Sequence, residues 1–368
     1  MKPINKTLSL AIGALCGSAL LTAPAAHALD IGAFADIGYA SSNEPGSPDS
    51  FAIGGLDLYS TQKLSANTTA FFEFVFENNG EAFVTDVERY SVKHTFSNAL
   101  QLAAGRFHAP LGYWNSHYHH GVLIQDTPSR PGFLDFEDGN NATLPMHNVG
   151  LTATGNLSAI SYELSYANSS AYDTTGGAGS GEILVPNVAD QNNKKAIFGH
   201  LGYKVPGQNL NLGLSYMNNT LFEAGTNAGY GTSPGDALVE MTVIGLDGRY
   251  AVSNFDALFE YYSFDNAAQA GVGDGASHTA SAYYAQLGYR FADKFKAVYR
   301  HEAVDFDTGA SVDEYFNILG TAVSTTDVAA LRYDVDDTNA VTLEYKTYSP
   351  DGGDSVDTTT VNWSFMMF

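Results

Sequence analysis

Apolar and polar positions alternate with a period of two along most of this chain. In NLNLGLSY, Leu210, Leu212, Leu214 and Tyr216 share one face, while Asn209, Asn211, Gly213 and Ser215 share the other. AFFEFVFEN sets Phe72, Phe74 and Phe76 against Glu73 and Glu77, and NFDALFEYY sets Phe255, Ala257, Phe259 and Tyr261 against Asp256 and Glu260. NAVTLEYKTY does the same with Val341, Leu343 and Tyr345 against Thr342, Glu344 and Lys346. Successive side chains of a strand point to opposite faces, so this is a β-strand pattern. It predicts strands over 31–40, 51–62, 66–78, 85–96, 99–107, 147–155, 157–167, 195–205, 208–218, 238–252, 255–264, 280–291, 294–305, 326–335, 339–348 and 358–368.

Alternation alone fits two architectures. In a soluble sandwich the apolar face packs inward and the charged face meets water. In a membrane barrel the apolar face meets lipid and the charged face lines a lumen. Strand length separates them: most of the sixteen segments approach the roughly 9 to 11 residues of a tilted membrane strand and exceed the roughly 5 to 6 of a globular one.

The connections separate them further. Tight ones fall at 63–65, 97–98, 156, 206–207, 253–254, 292–293 and 336–338. Between them lie long segments rich in Gly, Asp, Asn and Ser, at 41–50, 79–84, 108–146, 168–194, 219–237, 265–279, 306–325 and 349–357. Short periplasmic turns alternating with long extracellular loops mark a transmembrane barrel. The expected fold class is all-β, a transmembrane antiparallel β-barrel of about 16 strands.

Lys2 and Lys6 precede the apolar run Leu8–Leu21, and Ala26-His27-Ala28 offers a small-residue cleavage site. Residues 1–28 are expected to be a signal peptide, leaving 29–368 as a single outer-membrane barrel domain. Leu15 before Cys16 is too large for a lipoprotein junction, and cleavage after Ala28 removes the sole cysteine. No later apolar run reaches the roughly 18 residues of a membrane helix. The mature chain keeps 15 basic against 40 acidic residues, a net charge of −25, which excludes a nucleic-acid partner. No cofactor is expected.

The final segment, TTTVNWSFMMF, is an aromatic alternating strand that stops at Phe368. Strand number, loop asymmetry, the length and place of the third long segment (108–146) and the terminal Phe368 together resemble the general porins of Gram-negative bacteria. The resemblance covers the mature chain and is architectural, with no family residue motif matched. It implies a water-filled channel in the outer membrane, narrowed by an inward-folded third loop, for passive diffusion of small hydrophilic solutes or ions. It further implies outer-membrane lipid around the barrel, recognition of Phe368 by the barrel assembly machinery, and a homotrimer.

The candidate site is that third loop. It opens on GRFHAPLGYWNSHYHHG, with His108, Tyr113, Trp114, His117, His119 and His120 close together. Leu111, Trp114, Leu123, Ile124, Phe133 and Phe136 are too apolar for a loop held in water, so an inward fold is expected. The loop carries Asp126, Asp135, Glu137 and Asp138 together with Arg130, and the inward strand faces carry Arg89, Lys93, Arg290, Lys296, Arg300, Arg332 and Lys346. Acidic loop against basic wall would set a field across a constriction; alternatively these charges pair and keep the interior wet.

The same residues admit other chemistries. His117, His119 and His120 are candidate metal ligands without a standard zinc spacing, and the competing reading is polar lining. Tyr113 and Trp114 could offer a stacking surface in a substrate-specific channel. DFDTGASVDE and DGGDSVD resemble calcium loops, but neither matches the twelve-residue pattern with its fixed Gly and closing Glu. A barrel hydrolase would need a pair such as Ser116 and His117, yet neighbours in a strand point apart and no third member presents itself. A structural barrel plugged by its loops is the remaining alternative.

Overall fold

The computed structural model describes residues 31–78, 83–118, 121–136, 139, 141–175, 181–186 and 190–367. Its strands are β1 (Gly32–Ser42), β2 (Ser50–Lys63), β3 (Thr68–Asn78), β4 (Phe83–Ser97), β5 (Leu100–His108), β6 (His147–Leu157), β7 (Ile160–Asn168), β8 (Ala171–Tyr172), β9 (Lys195–Lys204), β10 (Leu210–Glu223), β11 (Ala237–Val252), β12 (Phe255–Ala268), β13 (Ser277–Phe291), β14 (Phe295–Asp305), β15 (Ser324–Asp336), β16 (Asn339–Pro350) and β17 (Val356–Met367). Two short helices join them, α1 (Trp114–His117) and α2 (Glu314–Leu319).

Each long strand pairs antiparallel with its chain neighbours, β7 pairing directly with β9. The sheet then closes on itself. β1 pairs with β17 from Ala33↔Met367 to Ser42↔Thr358, and with β2 on its other edge. Every one of the sixteen predicted segments underlies one long strand. The seventeenth, β8, is a two-residue ribbon against the end of β10. Closure leaves no unpaired edge, the condition for sheet backbone to sit in hydrocarbon. Among the described residues no helix is long and apolar enough to cross a membrane.

Burial is inverted relative to a soluble protein. Leu151, Leu164, Leu201, Leu246 and Leu287 are half exposed or more, while Glu73, Glu260, Gln286, Arg300, Glu302 and Glu344 are buried. The apolar faces point outward and the polar faces inward, the lipid-facing arrangement of alternation. At the tight-turn end the outward aromatics form a row, with Phe255–Tyr289, Phe295–Tyr333 and Phe291–Phe295 ring centroids 4.5, 4.9 and 5.8 Å apart. Such girdles sit at membrane interfaces.

One turn differs from expectation. Asn156 lies in β6, and the turn falls at Ser158, one of three non-glycine residues with positive φ (61°) among the described residues. Ser253 and Ala292 hold the same left-handed backbone in other tight turns, at φ 52° and 53°. Two-residue hairpins require positive φ, and none of these residues advertises it as Asn or Gly would.

Candidate functional site

The segment between β5 and β6 lies inside the barrel and packs against the inward faces of β9–β16. Leu111, Trp114, Phe133, Leu134 and Leu144 of the loop are fully buried in one cluster with Phe198, Met217, Tyr262 and Tyr284 of the wall. The aromatics meet mainly edge to face, Trp114 with Tyr284 at 5.6 Å and Phe133 with Tyr262 at 5.9 Å. Burying these side chains is what the loop's apolar composition required.

Charge then fixes the loop's register. Glu260 of β12 is fully buried and accepts from the Trp114 backbone N–H (2.5 Å), the Tyr262 hydroxyl (2.6 Å) and the Tyr284 hydroxyl (2.8 Å). Gly112 sits beside it at φ +65°, where a Cβ would lie 1.9 Å from the Glu260 carboxylate, so the position has room only for glycine. Glu302 accepts from Gly132 N–H (2.7 Å) and Glu344 from Ser129 N–H (3.1 Å). Loop amides that no secondary structure satisfies are thus satisfied by wall carboxylates.

The wall cations complete the clamp. Arg300 has no exposed surface; it donates to Glu302 (2.7 Å), Thr127 Oγ1 (2.6 Å) and Ser129 Oγ (3.0 Å). Lys296 pairs with Asp126 and Asp256, both at 2.8 Å. Arg332 donates to the Gln125 carbonyl and to Asp334 (2.6 Å), and Arg290 donates to Asp334 at 2.7 Å. The field expected between acidic loop and basic wall is therefore replaced by contact on this side: Asp126 and its opposing cation are joined. Arg89 is likewise bonded to Glu73, its neighbour across β3 and β4. Because Lys296 keeps Asp256, Asp126→Ala should cost less than the roughly 3–5 kcal/mol of leaving a buried charge unpaired. A double-mutant cycle with Lys296→Ala, read by urea unfolding, checks the coupling.

The remaining candidates fall as follows. Trp114 has no surface a solute could touch, which corrects its role as a stacking platform. Tyr113 stacks on His117 at 3.9 Å, and its hydroxyl accepts from Arg249 at 2.9 Å. His117 Nδ1 lies 3.1 Å from the Tyr113 carbonyl, and Ser116 Oγ donates to the Gly112 carbonyl at 2.9 Å, so the two do not form a nucleophile–base pair. His108 neighbours His147, rings 5.4 Å apart, and His147 Nε2 is 2.8 Å from Glu88. Asp135 accepts from its own neighbour's Phe136 N–H at 3.0 Å, and Arg130 lies over the Phe136 ring at 3.9 Å. Lys346 is half-buried on β16. His119, His120, Glu137 and Asp138 lie outside the described residues. No group of three or more His, Cys, Asp or Glu side chains suited to a metal occurs among the described residues.

Space remains on the other side of the loop, along β1–β7, besides a cavity of about 300 Å³ at β11–β14 bounded by Tyr118, Asp126, Arg249, Gln286 and Arg290. A cavity of about 310 Å³ is bounded by Gly121, Val122, Arg130 and Phe136 of the loop and by Asp36, Asp57 and Glu77 of the wall. Gly54 makes room there: a Cβ on it would lie 2.2 Å from the Asp36 carboxylate. A second cavity of about 360 Å³ lies between β2–β7 and the loop residues Pro110 and Ser116. The wall carboxylates Glu260, Glu302 and Glu344 and the acidic strip Asp36, Asp57 and Glu77 are not among the sequence-derived site residues, although each lies at an inward-phase position of its strand.

No protein-family model matches this sequence, and no curated protein sequence is similar to it. Solved structures are similar in shape. OmpF of Salmonella typhi, in complex with daunomycin, superposes with a TM-score of 0.64 at 12% identity, over 92% of this chain and 97% of that one. The anion-selective porin of Comamonas acidovorans gives 0.62 at 12% identity, over 92% and 99%. The fold is that of the outer-membrane porins. The trimer form of the Vibrio cholerae outer-membrane protein OmpT shares it as well, with a TM-score of 0.61 at 13% identity, over 92% of this chain and 99% of that one. At such identities the likeness fixes the porin fold and no residue role.

Proposed function

We propose that this porin-fold barrel is a passive outer-membrane channel for small hydrophilic solutes and ions, narrowed by the loop between β5 and β6. The observation that carries the reading is that the loop, anchored on β9–β16, leaves water-accessible space lined by polar side chains beside it, along β1–β7 and also at β11–β14. Entry from outside and exit at the tight-turn side follow from the expected signal peptide and from long loops facing outward. A homotrimer, and assembly through Phe368, belong to the same reading.

A liposome-swelling series tests it. Vesicles holding the purified chain should admit monosaccharides and amino acids and slow sharply as solute size rises. Equal swelling rates with and without protein would remove the proposal. Selectivity should follow the open side. Asp36, Asp57 and Glu77 border the cavity at the loop end, so a salt-gradient reversal potential should move towards anions when Asp36 and Glu77 become Asn and Gln. An unchanged potential would place the selective region elsewhere.

A further inference from the structure

The bay on the open side holds a cation that, unlike the neighbouring Arg89, is not bonded. Among the described residues, Lys93 on β4 makes no hydrogen bond or ion pair with the protein, and neither do the hydroxyls of Thr61, Thr69, Ser91 and Thr154 around it. They converge because the ladder places Lys93 opposite Thr69 on β3 and Ala103 on β5, with Ser91 two residues along on the same face. All line the cavity of about 360 Å³ between β2–β7 and the loop.

The rest of this bay narrows the chemistry it would accept. Glu163 adds a carboxylate on the β7 side, held by the Thr152 hydroxyl at 3.4 Å. Phe71 and Phe107 supply apolar surface, with the Arg89 guanidinium stacked over Phe71 at 4.4 Å. Arg89 is neutralised by Glu73, so Lys93 and Glu163 leave the bay close to charge balance. Hydroxyls can donate or accept, an ammonium only donates and an ionised carboxylate only accepts. A simple ion uses one kind of partner. A polyol uses both, and its C–H face can lie on an aromatic edge. Pockets of a few hundred Å³ with a few convergent polar groups suit small organic ligands.

We infer that the bay around Lys93 is a weak binding subsite for a neutral, polyhydroxylated solute of monosaccharide size. The channel reading enters only in how such a solute arrives. Binding itself is read on the detergent-solubilised barrel, where an open pore is not needed.

Saturation-transfer NMR with a hexose, against tetraethylene glycol as a size-matched chain lacking the array of hydroxyls, is the test. The wild-type barrel should transfer magnetisation to the hexose and little to the glycol. Lys93→Ala combined with Thr154→Val should weaken hexose binding about tenfold, the loss of roughly two modest hydrogen bonds. Lys93→Ala combined with Thr95→Val, the latter outside the bay, should match Lys93→Ala alone. Equal transfer to hexose and glycol, or hexose transfer unaltered in the Lys93→Ala, Thr154→Val barrel, would overturn the subsite. Heat-modifiable migration on gels confirms that each variant is folded. A barrel that conducts ions but fails this test keeps the pore and loses the bay; one that binds hexose but does not conduct keeps the bay and loses the pore.

Discussion

Glu260→Ala should free the inner loop and raise single-channel conductance, with a noisier open level. The substitution removes one buried carboxylate and strands three donors: the Trp114 amide and the hydroxyls of Tyr262 and Tyr284. Each unmet buried donor costs about 1–3 kcal/mol. The barrel need not unfold to relieve this, because the strand ladder on both sides of β12 is continuous. The loop can lift and let water reach the donors, which widens the path. Glu260→Gln keeps the size and one accepting oxygen but loses the charge and the second acceptor, so its effect should be smaller than that of Glu260→Ala. Planar-bilayer recordings of both variants decide the matter. An unaltered conductance in Glu260→Ala would mean that the loop's seat does not depend on this carboxylate.

Leu246→Arg should destabilise the barrel by about 2–4 kcal/mol, although the leucine is half exposed. A substitution on an exposed surface of a water-soluble domain usually stays within about 0.5 kcal/mol of neutral. Leu246 lies near the middle of β11, on the outward face, where the surrounding medium is expected to be hydrocarbon. Thr61→Arg, on the inward face at the bay, should be tolerated because its new charge meets lumen water. Urea-driven folding equilibria in lipid vesicles measure both. A neutral Leu246→Arg would place that surface against water or another polar partner.

The framework of the barrel was legible in sequence because its signal is local. Period-two alternation depends only on neighbours along the chain, and so do strand length and turn spacing; each predicted strand accordingly appears. The Asn156 turn was displaced because its left-handed residue is Ser158, which carries no strong conformational signature. The site was less legible because it depends on pairing between distant segments. Arg300 and Lys296 were visible as inward cations, but whether they faced open water or loop atoms rests on contacts spanning some 170 positions. Glu260, Glu302 and Glu344 were in plain view on alternating faces. Their role emerges only where a loop amide meets them. Trp114 looked like a ligand platform because exposed aromatics often are; the cluster with Tyr284 and Phe133 claims it for packing instead.

An inside-out barrel with an aqueous path through it should carry ionic current. Single-channel recording of the mature chain in planar bilayers tests this most directly, with insertion verified by strand-rich circular dichroism and heat-modifiable migration. Discrete, reproducible conductance steps are expected, larger in Glu260→Ala. Fully inserted, folded protein that passes no ionic current would contradict the aqueous path.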